Sequence, residues 1–458
     1  MNENIDKNTY KALALPRKLC VLYMIAVLVL FLAGPIKWID EWDLAAVMGV
    51  CLICLYIIAF RLGYGRNRCY VYESVETANP ARIATREKYV KLLNIFVWVY
   101  LVLTVLNAFE YAGATSLSGL WANVKEALTS PDQAYYNKDV SSRSGNILAY
   151  VTLIFEPIMF ITKVNAFLYY KYLNKFAKIC APFALVVEVF RWLAVGTNKG
   201  LLDVLVLLFT IYLISMQRRK ITERKKANKK IFVIIIILTI LFLAFFATAL
   251  SARVGGEYDK SLYTDFPYNL VPEGLRFFVT KFDSYITQGY SNMIKCIRYC
   301  EWKPTFPIGH SRFLMDTAKR FFGIDVFENT YPAQLATEGV DPLVSWHSAY
   351  SWIASDISFF GIIIFMFFVG RFTSKLVKES FWDHDPISSA LLYMVILGVI
   401  NSSCTNYVLA YSNMMIAFWG LFVVRLVLKW RRRAKEQEAA MIVEQAGTES
   451  GTEIEDGI

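Results

Sequence analysis

The sequence predicts an all-α fold: a polytopic membrane helix bundle of about ten spans with one large outer loop carrying amphipathic helices. Three observations carry that expectation. The 458 residues are 56% hydrophobic and only 19% charged, poorer in charge than a soluble domain. Apolar runs reach the roughly 20 residues that a helix needs to cross a bilayer, where backbone groups must be satisfied within the helix itself. One long polar stretch, Arg253 to Tyr350, interrupts these runs, with ten Lys/Arg, eleven Asp/Glu and two of the three histidines.

In chain order, the expected spans are about Leu19–Ile36, Leu44–Phe60, Leu92–Phe109, Ile147–Phe167, Ile179–Val195, Leu201–Met216, Ile231–Ser251, Ser351–Gly370, Ile387–Cys404 and Tyr407–Leu428. The first follows Arg17-Lys18 and ends at Gly34-Pro35 with no small-residue cleavage site, so it reads as an uncleaved helix. The outer stretch after the third span has a short helical pattern near Leu117–Leu128, stopped by Ser130-Pro131-Asp132. In the large loop, Gly274 to Tyr299 and Phe313 to Phe322 have helical periodicity. With Trp302, Phe306, Trp346, Tyr350 and Trp352 nearby, they are expected on the outer membrane surface. Residues 1–251 thus form spans one to seven, 252–350 the outer loop, 351–428 the last three spans, and 429–458 a disordered cytoplasmic tail, acidic from Glu436 onward.

Lys and Arg counts set the orientation. With the N-terminus inside, the cytoplasmic segments hold thirty and the short outer loops five. Both termini then face the cytoplasm. The net charge of +10 is that inner basic excess, which anionic headgroups attract, and it needs no nucleic acid. Cys296 and Cys300 stand at i,i+4, an awkward geometry for a disulfide, and read as two thiols; no zinc-ligand spacing occurs.

Ionisable groups inside a span cost about 2.5 to 3.5 kcal/mol and need a partner or a task. Glu156 is followed by Pro157 in the fourth span; Glu188 and Arg191 lie at i,i+3 in the fifth; Asp203 lies in the sixth. Between the last two runs the tight hairpin Gly196-Thr197-Asn198-Lys199-Gly200. Two readings stay open for this group. Glu188 and Arg191 form a buried structural pair on one helix face, or Arg191 and Lys199 face an anionic ligand such as the diphosphate of a lipid carrier. Arg253, Arg276, Arg298 and Arg312 in the large loop are candidates for the same task. His347, where the chain approaches the eighth span, can take a proton from a sugar hydroxyl. Asp356, nine residues on, is too far along a helix to orient it, and His310 in a turn after Pro307-Ile308-Gly309 is the weaker candidate.

The block Trp346 to Gly361 resembles the segment that follows the large outer loop in Wzy-type O-antigen and capsule polymerases, and the His-containing segment of the related O-antigen ligases. His347 stands at the family histidine, Ser348 replaces an asparagine, Asp356 sits at the acidic position, Ser358 replaces the first glycine of a Gly-x-x-Gly and Gly361 keeps the second. Arg191 to Gly200 is similar to the basic hairpin of these families, and Ser284 to Tyr290, with Tyr285, looks like a polymerase loop segment. Arg-x10-Gly occurs as Arg298–Gly309 and Arg312–Gly323.

The resemblance implies an enzyme of the bacterial cytoplasmic membrane that works on its outer face. Such an enzyme moves a growing glycan from undecaprenyl diphosphate onto a hydroxyl of a lipid-linked repeat unit, with no metal and no cofactor. His347 would be the general base. Arg191, Lys199 and the loop arginines would hold the diphosphate, and Tyr285 and Trp346 the glycan. Membrane lipid, a flippase and a chain-length regulator are the further partners implied. Two other classes compete. A metal-dependent multispan glycosyltransferase would use acids in the first outer loop, where Asp40-Glu41-Trp42-Asp43 stands. A flippase or transporter would show repeated halves and short outer loops, and the chain shows neither.

Overall fold

A computed structural model describes residues 7–65, 80–114, 116–130, 147–194, 199–223, 229–254, 266–342 and 345–452. Among these the structure is helical, with no β-strand. The main helices are α1 (Lys7–Ala33), α2 (Leu44–Gly65), α3 (Pro80–Ala112), α4 (Leu117–Thr129), α5 (Ile147–Leu168), α6 (Lys175–Ala194), α7 (Lys199–Arg218) and α8 (Lys229–Val254). After the polar stretch begins come α9 (Glu273–Tyr299), α10 (Arg312–Phe322), α11 (Ala349–Phe381), α12 (Pro386–Asn401) and α13 (Ser412–Thr452).

Seven of these are long and apolar enough to cross a membrane: α1, α2, α3, α5, α7, α11 and the first part of α13. The protein is therefore a membrane protein, but seven is fewer than the ten spans expected. The reasons are local. α6 carries Lys175, Lys178, Glu188 and Arg191, which dilute its apolar character. α12 and the Val233–Ala247 part of α8 are apolar but shorter. α12 is buried on nearly every face, from Ile387 through Leu397, as a helix at the centre of a bundle must be.

The closest helix crossing joins α2 to α11 through two glycines. A Cβ on Gly63 would meet the Phe367 carbonyl oxygen at 1.9 Å, and one on Gly370 would meet that of Phe60 at 2.1 Å. Small residues at such a crossing bring backbones together where apolar burial alone cannot drive association in lipid.

α9 does more than lie on a surface. Tyr290, Met293 and Cys296 are fully buried against the bundle. Asp283 accepts from the Ile36 amide at 3.3 Å, Thr287 accepts from the Trp38 indole at 2.7 Å, and Arg298 pairs with Asp43 at 2.6 Å. Gly289 sits where a Cβ would strike the Ser403 carbonyl at 2.2 Å and the Ser348 amide at 2.6 Å. α9 thus clamps the α1–α2 connection to the start of α11, and the end of the bundle it covers is called the loop end below.

α11 is broken. Ser358 has φ 63° and ψ 164°, a region that non-glycine residues rarely enter. Near the break the Ser355 carbonyl accepts instead from the Thr305 amide at 3.2 Å and the Trp302 indole at 3.3 Å. α13 is the longest helix described. It runs beyond the last expected span to Thr452, through Ala, Glu, Gln and Met residues of high helix propensity, and residues 453–458 lie outside the described residues.

Candidate functional site

Several helices, among them α3 with Thr104, meet near the loop end around a small open cleft. α5 supplies Glu156 and Lys163, α6 supplies Glu188, Arg191 and Trp192, and α7 supplies Asp203. Tyr393 of α12, Tyr407 and the first residues of α13 complete the wall.

The charges here are paired across helices. Lys163 donates to Glu188 at 2.9 Å, and the Tyr100 hydroxyl donates to the other Glu188 oxygen at 2.7 Å. Glu188 therefore has an ion-pair partner on α5, which the i,i+3 spacing to Arg191 did not anticipate. An interhelical pair lets both long side chains meet in the protein interior, away from lipid. The Tyr407 hydroxyl donates to Asp203. The Lys199 ammonium sits over the rings of Tyr407 and Tyr411, 3.9 Å and 3.7 Å from their centroids. The Arg191 guanidinium lies over Trp192 at 4.6 Å. Arg191 lines the cavity, and Lys199 lies beside it, over its Tyr407 wall. Gly196, Thr197 and Asn198 of the hairpin lie outside the described residues.

A second constellation adjoins this wall. His310 Nδ1 lies 2.6 Å from Asp356 Oδ2. The other Asp356 oxygen accepts from the Thr305 hydroxyl at 2.7 Å and the Gly309 amide at 2.9 Å, so the carboxylate is fixed from three sides. Asn406 Nδ2 donates to the His310 carbonyl at 2.6 Å, and the Ser311 hydroxyl contacts Met415 Sδ at 3.1 Å. Asn406 immediately precedes the cavity residue Tyr407, and Met415 follows the cavity residue Met414. With Nδ1 committed to Asp356, Nε2 is the His310 nitrogen left to meet a substrate. The His310 side chain is 18% exposed.

His347 is placed otherwise than expected. It is buried, at 2% exposure, and neither ring nitrogen has a hydrogen-bond partner among the described residues. Burial pushes its pKa down from 6.5 to about 4, with Asp341 opposing and Lys295 adding to the shift. A histidine enclosed in this way and so weakly basic is a poor acceptor for a hydroxyl proton at neutral pH. Tyr285 and Trp346 are brought together, with ring centroids 5.6 Å apart. Trp346 is held on α9 by Asn292, which donates to its carbonyl at 2.8 Å.

The loop arginines do not converge. Arg276 opens α9 and Arg298 ends it, which separates them by about 33 Å along the helix at 1.5 Å per residue. Arg276 donates to the Val271 carbonyl at 2.9 Å and covers the Tyr268 ring. Arg298 holds Asp43, whose carboxyl it keeps below the ordinary carboxylate range through that hydrogen bond. Arg312 pairs with Asp316 at 3.2 Å and covers Phe327. The side chain of Arg253 lies outside the described residues.

Two of the acids that suggested a metal, Asp40 and Asp43, are in structural use. Asp43 also caps α2 by accepting from the Ala46 amide, and Asp40 pairs with Lys37 at 3.7 Å. Among the described residues no three His, Cys, Asp or Glu come together as a ligand set.

Sequence reasoning passed over Lys163, although it is an intramembrane charge seven residues from Glu156 and on the same helical face. It ranked His310 below His347 because nothing local ties His310 to Asp356, which lies 46 positions away. No family model, no curated protein and no solved structure matches the chain.

Proposed function

We propose that this protein is a polymerase of lipid-diphosphate-linked oligosaccharide repeat units, acting at the outer face of a bacterial cytoplasmic membrane, with the loop end of the bundle facing outward. The observation that carries this reading is the adjacency of two different chemistries. A cavity lined by Arg191, with Lys199 over its Tyr407 wall, and an Asp-oriented histidine lie on either side of Asn406–Tyr407. Polysaccharide assembly needs both: cations where the leaving diphosphate gathers charge, and a base for the acceptor hydroxyl.

In this reading the acceptor hydroxyl gives its proton to His310 Nε2. Its oxygen attacks the anomeric carbon of the donor glycan. The bond from that carbon to the diphosphate oxygen breaks, and the electron pair stays on the diphosphate, beside Arg191 and Lys199. Asp356 holds the imidazole tautomer and meets the imidazolium that forms. His310 thus takes the role first given to His347. The donor is an undecaprenyl-diphosphate-linked glycan, and a flippase and a chain-length regulator are its natural companions.

The buried charges Glu156, Lys163, Glu188 and Asp203 favour one second reading, a flippase for the same lipid-linked glycan, because such groups often mark transport paths. One reconstitution separates the two. Purified protein in vesicles with a defined undecaprenyl-diphosphate oligosaccharide is expected to yield a ladder of polymer, and H310A and R191A only single units. Translocation of the lipid without any ladder would select the flippase.

A further inference from the structure

α10 ends in an exposed apolar tip. Gly323, with φ 69°, closes the helix in the left-handed conformation, and its amide returns to the Lys319 carbonyl at 3.2 Å. Lys319 pairs with Asp325 at 2.5 Å across the same turn. The closed turn presents Phe321, Phe322 and Ile324 at 72%, 74% and 51% exposure, and a Cβ on Gly323 would meet nothing within 4 Å. Phe306, on the turn that leads to His310, and Trp302 are exposed as well. Apolar residues scattered singly on a surface need no explanation, but three on one tight turn mark a contact surface.

Depth along α11 identifies the partner. Trp302 and Thr305 donate to the Ser355 carbonyl, and the Thr305 hydroxyl donates to Asp356, which pins this chain segment beside a membrane span. Arg371 is the first charged residue after Asp356 in that span. The two are about 22 Å apart at 1.5 Å per residue, less than the roughly 30 Å of a hydrocarbon core. With Arg371 near one boundary of the core, Asp356 lies at or just inside the other. Between them Phe360, Ile364 and Phe368 form an exposed stripe at i,i+4 spacing, a face for lipid to cover. α10 starts directly after the pinned turn, packs on Tyr407–Ala410 and touches the start of the last span where Ser311 meets Met415. Arg320 is exposed next to Phe321, the pairing of cation and aromatic ring that suits a headgroup layer. We infer that the tip 320–324, with Phe306, is a lipid anchor: its apolar side chains enter the leaflet at the loop end, and Arg320 meets headgroup phosphate. The sequence pattern placed α9 and α10 alike on the membrane surface; α9 is packed into the bundle, and the tip of α10 is left to meet lipid. The anchor holds His310, carried by the turn before α10, at headgroup height. The inference stands on exposure and depth and is independent of the polymerase reading.

The test uses the full-length protein in vesicles of phosphatidylcholine and phosphatidylglycerol, and reads the fluorescence that Phe322→Trp adds to that of wild type. Exchanging one exposed aromatic ring for another leaves the fold intact. Phospholipids brominated high on the acyl chain are expected to remove about half of the added emission, as for a ring about 5–10 Å into the headgroup and acyl boundary, and aqueous iodide to leave it unchanged. Added emission that brominated lipid does not quench overturns the anchor. If iodide then quenches it, the tip lies in water; if iodide does not, the tip is covered by protein, such as a second copy of this chain. Adding Arg320→Gln to Phe322→Trp is expected to weaken the quenching by brominated lipid, and unchanged quenching removes the phosphate contact from the anchor.

Discussion

His310 Nδ1 and Asp356 Oδ2, 2.6 Å apart, tie a turn of the polar stretch to the broken helix α11. Asp356 lies two residues before the break at Ser358, and the Ser355 carbonyl near that break takes the Thr305 amide. The contact is therefore supported by backbone on both sides, as an orienting carboxylate requires.

Asp356→Asn tests the orienting role. The amide keeps the size of the carboxylate but cannot both accept from His310 and stabilise an imidazolium. Polymer formation by purified protein is expected to fall about 10²–10⁴-fold, the usual worth of positioned acid–base catalysis. Affinity for geranylgeranyl diphosphate should stay unchanged, since the cavity is intact. Full activity in Asp356→Asn would remove the pair from the mechanism.

His347 sets an acid limit on stability. Its folded pKa of about 4 lies below the ordinary 6.5, so the unfolded chain takes up a proton that the folded one refuses. The stability it contributes is complete above about pH 6.5 and is lost as pH falls toward 4, by up to about 1.4 kcal/mol per pH unit. His347→Gln is expected to flatten the acid side of a thermal-unfolding profile and to retain polymer formation. A variant that unfolds normally but makes only single units would return the catalytic role to His347.

Lys163 and Glu188 form a buried pair, with side chains 9% and 10% exposed. Lys163→Met alone strips Glu188 of its ion-pair partner and is expected to destabilise by about 3–5 kcal/mol. Adding Glu188→Leu should recover most of that loss, because the uncompensated charge is then gone. Unfolding temperatures of the two single variants and the double variant give the coupling, and additive losses would show that the pair does not act as a unit.

Ser358 holds a backbone conformation open mainly to glycine. Ser358→Gly is expected to raise stability by about 1 kcal/mol and Ser358→Val to lower it by more. A destabilised glycine variant would mean that the serine side chain, which accepts from the Gly361 amide at 3.4 Å, matters more than the backbone.

Much of the architecture was legible in the residues alone. Apolar run length located α1, α2, α3, α5 and α11, and helical periodicity located α4, α9 and α10 to within a residue or two. These are local properties, set by side chains one to four positions apart. The span count came out high because periodicity does not separate a lipid-facing helix from a shorter one enclosed by others, as α12 is. Arg191 drew notice as a charge inside an apolar run, and Lys199 as the cation of the hairpin that follows.

What the residues determined by themselves was the solvent of this protein and the inventory of charges it carries into the membrane. Only the tertiary structure decided which charges meet. It gave Glu188 to Lys163, Asp356 to His310 and Arg298 to Asp43, and it enclosed His347. The reason is distance: each of these partners lies far along the chain, and a contact between side chains on different helices is fixed by how the helices pack, which no local spacing encodes.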